Sequence, residues 1–219
     1  MESDLIFDMV SITLIGMSVL TWTIGLGKLL QLYKARQRAG MFERAFDHSM
    51  DWPAFREVGK DASAGDAVYL AHNLKQVCAE YAGADHQKYS FEQLQTMFAT
   101  EIQRKLGAIA RHKESWMNAL ASISSTAPFL GLFGTVWGIM QALVMIGETG
   151  AANITVVAAP IGGALITTAF GIVTAIPAVI FHNLINRKIR QHIGQLENFS
   201  EALLRYVLHH RERWSEVAR

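Results

Sequence analysis

Residues 122–140 read SISSTAPFLGLFGTVWGIM, and this stretch decides the fold. It lies inside an uncharged run, 115–147, that exceeds the roughly 20 residues a helix needs to cross about 30 Å of hydrocarbon. Two further runs, 9–27 and 149–186, also lack Asp, Glu, Lys and Arg. The sequence therefore predicts an all-α, polytopic membrane protein with three transmembrane helices.

The distribution of basic residues predicts the orientation. All 20 Lys and Arg residues lie in 28–113 or in 187–219. Because positively charged segments stay on the cytoplasmic side, both ranges are predicted to be cytoplasmic. The acidic N-terminus and the turn at 148–153 are then predicted to be periplasmic. An acidic leader does not resemble a secretory signal, so we expect the first transmembrane helix to be retained as an anchor.

Both predicted cytoplasmic ranges show helical periodicity. Apolar residues recur every three or four positions in 70–81, 91–109 and 185–206. No stop signal interrupts the pattern between Ser90 and Ala127, so we expect one uninterrupted rod that enters the membrane as the second transmembrane helix. The third transmembrane helix is likewise expected to continue into a long cytoplasmic helix.

These patterns divide the chain into six segments. They are an external leader with transmembrane helix 1 (1–27), a cytoplasmic helical domain (28–113), transmembrane helix 2 (114–147), a periplasmic turn (148–153), transmembrane helix 3 (154–186) and a cytoplasmic C-terminal helix (187–219). Within the cytoplasmic domain, 51–53 favours a helix start and 61–66 a loop. The cytoplasmic helices carry more apolar surface than one subunit is expected to bury. This surplus predicts a homo-oligomer.

Transmembrane helices 2 and 3 carry faces of small residues, which allow close approach of helix backbones. Helix 2 has Ala127, Gly131 and Thr135 on one face; helix 3 has Pro160, Ala164, Thr168, Gly171 and Ala175 on one face and Gly163, Thr167 and Thr174 on the next. Spacing alone does not decide whether the threonines line a pore or donate a hydrogen bond to a carbonyl one turn back. The prolines are equally open between functional hinges and tolerated kinks.

Catalytic motifs are absent from the sequence. It has no phosphate-binding glycine loop, nucleophile elbow, metal-binding His pair or Cys cluster, and its single cysteine, Cys78, is expected to pack as a small apolar residue. We therefore predict a protein that is not an enzyme and that has no cofactor, metal site or nucleic-acid partner. Basic residues beside the helices would attract anionic lipid headgroups, but topology already accounts for them.

The run 127–140, APFLGLFGTVWGIM, resembles the signature of the ExbB and TolQ proteins, which form a proton-channel family with MotA. In helix 3, the runs 157–160 (VAAP), 164–171 (ALITTAFG) and 175–179 (AIPAV), followed by Asn183, resemble the family's third helix in the same order. The similarity in topology and segment sizes extends over nearly the whole chain.

The resemblance implies a proton-driven motor in the bacterial inner membrane. In that motor, a pentamer of this subunit encloses the transmembrane helices of a smaller ExbD-like or TolR-like partner, and proton flow powers TonB or TolA. The family's threonines that match Thr135 and Thr168 face the central pore, so the resemblance implies that these two line the proton path. Other positions are candidates for helix contact or for the pore: Gly131, Gly163, Thr167, Gly171 and Thr174.

One position departs from the family pattern, because Gly163 stands where a glutamate is usual. An intramembrane carboxylate is costly and usually functional, so its loss predicts a subunit without a titratable group in transmembrane helices 2 and 3. The resemblance then implies that the partner's transmembrane aspartate carries the proton, with the Thr135 and Thr168 hydroxyls and waters completing the path. Altered coupling and a membrane scaffold that does not conduct are the alternatives.

Two features divide the family resemblance between ExbB and TolQ. The short leader is closer to TolQ, whereas the Thr21–Ile24 run before Lys28 and the Ala159–Gly162 run are closer to ExbB. The balance predicts an ExbB-like subunit that, with an ExbD-like partner, energises TonB-dependent transport across the outer membrane. A TolQ-like subunit of the Tol-Pal cell-envelope motor is the alternative.

Overall fold

The computed structural model describes residues 2–49, 55, 65–83, 89–149 and 154–216. Every regular element in those ranges is helical. The elements are α1 (Glu2–Ser49), α2 (Asp66–Gly83), α3 (Phe91–Glu114), α4 (Met117–Thr149), α5 (Ile154–His209) and the short 3₁₀ helix η1 (Arg211–Glu216). The predicted all-α class is confirmed.

Three of these helices contain segments long and apolar enough to cross a membrane. The segments are Leu5–Ala35 in α1, Met117–Glu148 in α4 and Val157–His209 in α5. Each needs only about 20 residues to span the hydrocarbon core. The prediction of three transmembrane helices is therefore confirmed by length and composition.

The helix α5 continues far beyond the length that a membrane requires. Its 56 residues correspond to about 84 Å at 1.5 Å per residue. Pro160 and Pro177 lie inside it, and Pro128 lies inside α4, without ending either helix. The expectation that the third transmembrane helix runs on without interruption into the C-terminal region agrees with this single helix.

The uninterrupted rod expected from Ser90 through Ala127 is wrong. The helix α3 ends at Glu114 and α4 begins at Met117. Between them Trp116 has a φ of 70°, in the left-handed region, where an α-helix cannot continue. The Trp116 side chain is 66% exposed whereas Met117 is only 3% exposed, so the break turns one apolar residue out and the next one in.

The start of α3 carries the capping signal that its sequence encodes. The Gln93 main-chain N–H donates to Ser90 Oγ at 3.2 Å, and the Ser90 N–H donates to Gln93 Oε1 at 2.8 Å. This reciprocal pair satisfies two main-chain donors at the helix end. The predicted helix start at 51–53, most of the loop at 61–66 and turn residues 150–153 lie outside the described residues.

The chain divides into two compact units. The first comprises Met1–Leu29 with Trp116–Asn186, and the second comprises Leu30–Ser115 with Arg187–Arg219. The second unit has its own apolar core, in which Trp214 stacks on Phe98 with ring centroids 5.2 Å apart. Cys78 is fully buried in that core, and burial raises the pKa of its thiol, so it packs as a small apolar residue, as expected.

Candidate functional site

In the first unit, α4 and α5 pack against each other along a line of small residues, here called the α4–α5 seam. It comprises Ala127, Gly131, Gly134 and Gly138 on α4 and Ala164, Thr167, Thr168 and Gly171 on α5. As residue numbers rise on α4, those of the opposing residues fall on α5, so the helices run antiparallel.

Glycine is required at the closest point of the seam. A Cβ added to Gly171 would lie 2.7 Å from the carbonyl oxygen of Ala127, and one added to Gly131 would lie 3.0 Å from Thr168 Cα. Both neighbours are main-chain atoms, which cannot move aside without shifting a helix. The two backbones approach this closely because neither glycine has a side chain.

Thr168 links the two helices through its hydroxyl. Its Oγ1 donates to the main-chain oxygen of Gly131 at 2.8 Å. Thr135, in contrast, donates to Leu132 of its own helix at 2.7 Å and is 9% exposed. Both predicted pore residues thus lie on the packed side of the helix pair, and each hydroxyl oxygen keeps lone pairs that can accept a hydrogen bond.

Thr167 and Thr174 are buried more deeply within the subunit. Their exposed fractions are 2% and 4%. The Thr167 hydroxyl donates to Gly163 O at 3.0 Å, and its Cγ2 would lie 2.5 Å from a Cβ added to Gly134. In the subunit Thr167 is a packing residue of the seam.

At Gly163, where the family's glutamate is expected, the structure places an aromatic ring of α1. A Cβ added there would lie 3.5 Å from Phe7 Cζ, which is an ordinary van der Waals contact. The position therefore has room for a small side chain, while Phe7 occupies the space beyond it. Further along, α1 approaches α5 where the Trp22 and Phe181 rings meet edge to face at 5.4 Å.

The expectation of no titratable group in transmembrane helices 2 and 3 is wrong, because His182 lies within 154–186, the range predicted for transmembrane helix 3. Its half-buried ring lies with Nδ1 3.2 Å from the main-chain oxygen of Met117 and Nε2 2.9 Å from Asn186 Nδ2. The sequence shows this group as one histidine at the end of the otherwise apolar run 175–182.

The second unit contains a cluster of charged groups. Asp66 Oδ2 accepts hydrogen bonds from His192 Nε2 at 2.7 Å and from Lys113 Nζ at 2.8 Å. Burial raises the pKa of Asp66, but the bonds from His192 and Lys113 outweigh it and lower this pKa to about 2. The cluster joins the start of α2 to the end of α3 and to α5. Among the described residues no group of three His, Cys, Asp or Glu could hold a metal ion.

Large apolar side chains cover the outer faces of the membrane-length helices. On α4 the exposed set includes Val136, Ile139, Met140, Leu143 and Val144, and on α5 it includes Leu165, Ile166, Phe170 and Val173. Such faces suit lipid or neighbouring transmembrane helices. An antiparallel small-residue helix pair, a third membrane-length helix and apolar outer faces define a polytopic α-helical membrane protein.

Comparison with known proteins identifies the family. Residues 70–198 match the MotA/TolQ/ExbB proton channel family. The chain is 36% identical to biopolymer transport protein ExbB of Neisseria meningitidis serogroup B over 85% of this chain and 88% of that protein. The ExbB of Salmonella typhimurium is 30% identical over 93% of this chain and 82% of its own. The chain therefore belongs to the MotA/TolQ/ExbB proton channel family and is an ExbB-type transport protein.

A third relative shows how far the similarity extends along the chain. The ExbB of Pseudomonas putida is 34% identical over 94% of this chain and 61% of its own length. The matched family region contains most of α2, all of α3 and α4, and most of α5. It thus includes the whole α4–α5 seam and His182.

Proposed function

We propose that this chain is the ExbB-like subunit of a proton-driven motor in the bacterial inner membrane. In this proposal it works with an ExbD-like single-span partner and energises TonB-dependent transport across the outer membrane. The observation that carries the proposal is its 30–36% identity, over most of the chain, to proteins named biopolymer transport protein ExbB. Their name favours the ExbB-like role over the TolQ-like one.

The proposed proton path is the central pore that a pentamer of this subunit would enclose around the partner helices. Thr135 and Thr168 line it, because their hydroxyls already donate to carbonyls and their oxygens can accept from water or from a hydrated proton. Gly163 contributes no carboxylate, so the titratable aspartate of the partner helix carries the proton past these hydroxyls. Gly131 and Gly171 hold the two helices close enough for Thr168 to reach across, while Thr167 packs between them and Thr174 is buried.

The proposed topology places the N-terminus in the periplasm and the C-terminus in the cytoplasm. The support is the absence of Lys and Arg from 1–27 and 114–186, together with their clustering next to all three membrane segments. The second unit would then face the cytoplasm, and anionic lipids would surround the basic ends of the helices.

Replacement of ExbB in a bacterium that lacks its own copy tests the function. The chain, expressed with the single-span partner gene from its own genome, is expected to restore uptake of a TonB-receptor substrate. A protonophore should abolish the restored uptake, because the proposed energy source is the proton gradient. Restoration of TolQ function without receptor-dependent uptake would contradict the ExbB-like assignment, and restoration of neither would contradict the motor.

A further inference from the structure

Two side chains of α5 cross the interface with α4 to reach main-chain oxygens. Thr168 donates to Gly131 O at 2.8 Å, and His182 Nδ1 lies 3.2 Å from Met117 O. The two bonds fit one antiparallel register. The number of residues from Thr168 to His182 on α5 equals the number from Gly131 back to Met117 on α4. That step is about four helical turns, or roughly 21 Å, so His182 lies on nearly the same face of α5 as Thr168.

The partners of the His182 ring define its protonation state. A carbonyl oxygen can only accept, so Nδ1 must carry the hydrogen that reaches Met117. The Asn186 Nδ2 group can only donate, so Nε2 must present a lone pair to it at 2.9 Å. In this orientation of the Asn186 amide the ring is a neutral imidazole, whose Nε2 accepts one hydrogen bond and can bind a proton in its place. Histidine is the side-chain type whose charge ordinarily changes between about pH 5 and 8.

The charged residues nearest in sequence to this ring and its contacts are Glu114, three positions before Met117, and basic residues of α1 and α5. On α4, residues 115–147 carry no charge, and on α1 the closest charged residue to the Phe181 contact is Lys28, three positions after Gly25. Along α5 itself, Arg187 and Lys188 follow Asn186. Among the described residues no carboxylate forms an ion pair with His182, so a proton bound there is not held by a fixed anion.

We propose that His182 is a proton-exchanging residue of this chain, which takes up and releases a proton at Nε2. It lies on α5 between the α4–α5 seam and Arg187. The inference rests on the proposed proton-driven function. On uptake, a proton from a hydronium ion forms the Nε2–H bond, and the Asn186 N–H···Nε2 hydrogen bond breaks. The Asn186 amide then turns by half a rotation so that its oxygen accepts from Nε2. Release to water reverses these steps, and the Nδ1–H bond to Met117 is kept throughout.

Nitrogen NMR of the full chain in proteoliposomes, labelled with ¹⁵N-histidine, tests the proton exchange directly. The signal that disappears in His182→Gln is expected to show a neutral, Nδ1-protonated ring at pH 8 and a doubly protonated ring at pH 5. A ring that keeps one protonation state from pH 5 to pH 8 would overturn the proposal. This readout does not depend on transport activity.

The Asn186 contact is tested in the same experiment. In Asn186→Asp, the carboxylate cannot donate to a bare nitrogen, so the NMR signal of Nε2 at pH 8 should shift. Asn183→Asp adds the same charge at the residue that follows His182, without the contact, and should produce a smaller shift. An equal or larger shift in this control would contradict the assigned partner.

Uptake in the replacement strain separates failure of this inference from failure of the proposed function. If the unaltered chain supports uptake, His182→Gln, which retains hydrogen bonding but does not titrate, is expected to lower it at least tenfold with the assembly intact. His209→Gln, in the exposed end of α5, should leave uptake unchanged. Full uptake by His182→Gln would overturn the proton-exchanging role. No uptake by the unaltered chain would refute the motor and leave the NMR result to decide the proton exchange.

Discussion

At the scale of single residues, substitution of Thr135 and Thr168 can distinguish a role of their polar hydroxyls from a role in packing. Valine is nearly the same size as threonine, so replacement removes the hydroxyl and little volume. The double change to valine is expected to abolish energised uptake while the protein still assembles with its partner. Uptake of a receptor-dependent substrate and co-purification of the partner are the two measurements.

A matched control exists on α1, where Thr23 also donates to its own helix, to Val19 O at 2.8 Å, but is exposed. Thr23→Val should leave uptake unchanged. Full uptake by the double valine variant, with the complex intact, would show that Thr135 and Thr168 are ordinary packing residues.

Glycine substitutions measure how closely α4 and α5 approach. Gly171→Ala would bring a methyl group to 2.7 Å from Ala127 O, so the helices must separate, at a cost of about 1–3 kcal/mol in folding free energy. Gly163→Ala meets only an ordinary contact with Phe7, and Gly162→Ala meets nothing within 4 Å. Thermal unfolding in detergent should show a lower midpoint for Gly171→Ala alone. Equal midpoints for all three would disprove the close approach.

At the scale of secondary-structure elements, Asp66 joins three helices of the second unit through its bonds to His192 and Lys113. Its pKa is lowered from 3.8 to about 2, so the stabilisation is fully present above about pH 4 and is lost as the pH falls from 4 towards 2. With the Asp66 side chain 23% exposed, we expect roughly 1–2 kcal/mol after solvent screening.

Thermal unfolding of Asp66→Asn and the unaltered chain at pH 7 and at pH 3 checks this contribution. The difference in thermal midpoint between the variant and the unaltered chain should be larger at pH 7 than at pH 3. Glu201→Gln, which removes an exposed pair with Arg205, should change little at either pH. A constant difference across the two pH values would mean that the Asp66 charge does not stabilise the fold.

The break between α3 and α4 gives a second test at this scale. Both Trp116→Ala and Trp116→Gly remove the indole ring, but only glycine adopts a φ of 70° without strain. We expect the glycine variant to be more stable than the alanine variant by about 1 kcal/mol in thermal unfolding. A more stable alanine variant would mean that α3 and α4 can join into the continuous rod.

At the scale of the whole molecule, the outward apolar faces of the membrane-length helices favour self-association. We expect a homopentamer in detergent, observed by native mass spectrometry of the purified full chain. A polar change on the exposed face of α4, such as Leu143→Gln, should reduce the pentamer if that face packs on a neighbour. A clean monomer of the unaltered chain at micromolar concentration would contradict the assembly.

Helix periodicity predicted much of the architecture because it is a local property. Apolar spacing placed α2, α3 and the long α5 correctly, and the small-residue spacing anticipated a close contact between α4 and α5. The same periodicity concealed the break at Trp116, since apolar residues keep helical spacing on both sides of it and no glycine or proline marks the site. The sequence marks His182 only as a single polar residue in an apolar run, because its bond to Met117 depends on helix packing.

The sequence by itself determined the all-α class, the three membrane-length helices and the family. These depend on the length of the uncharged runs and on local sequence motifs. Both are properties of one segment of the chain at a time, so they can be read without knowing how the segments pack. Only the tertiary structure decided which threonine crosses the seam, what His182 bonds and which groups surround Asp66. Each of those depends on residues far apart in the chain meeting at hydrogen-bond distance, and helix packing sets that distance to within an ångström.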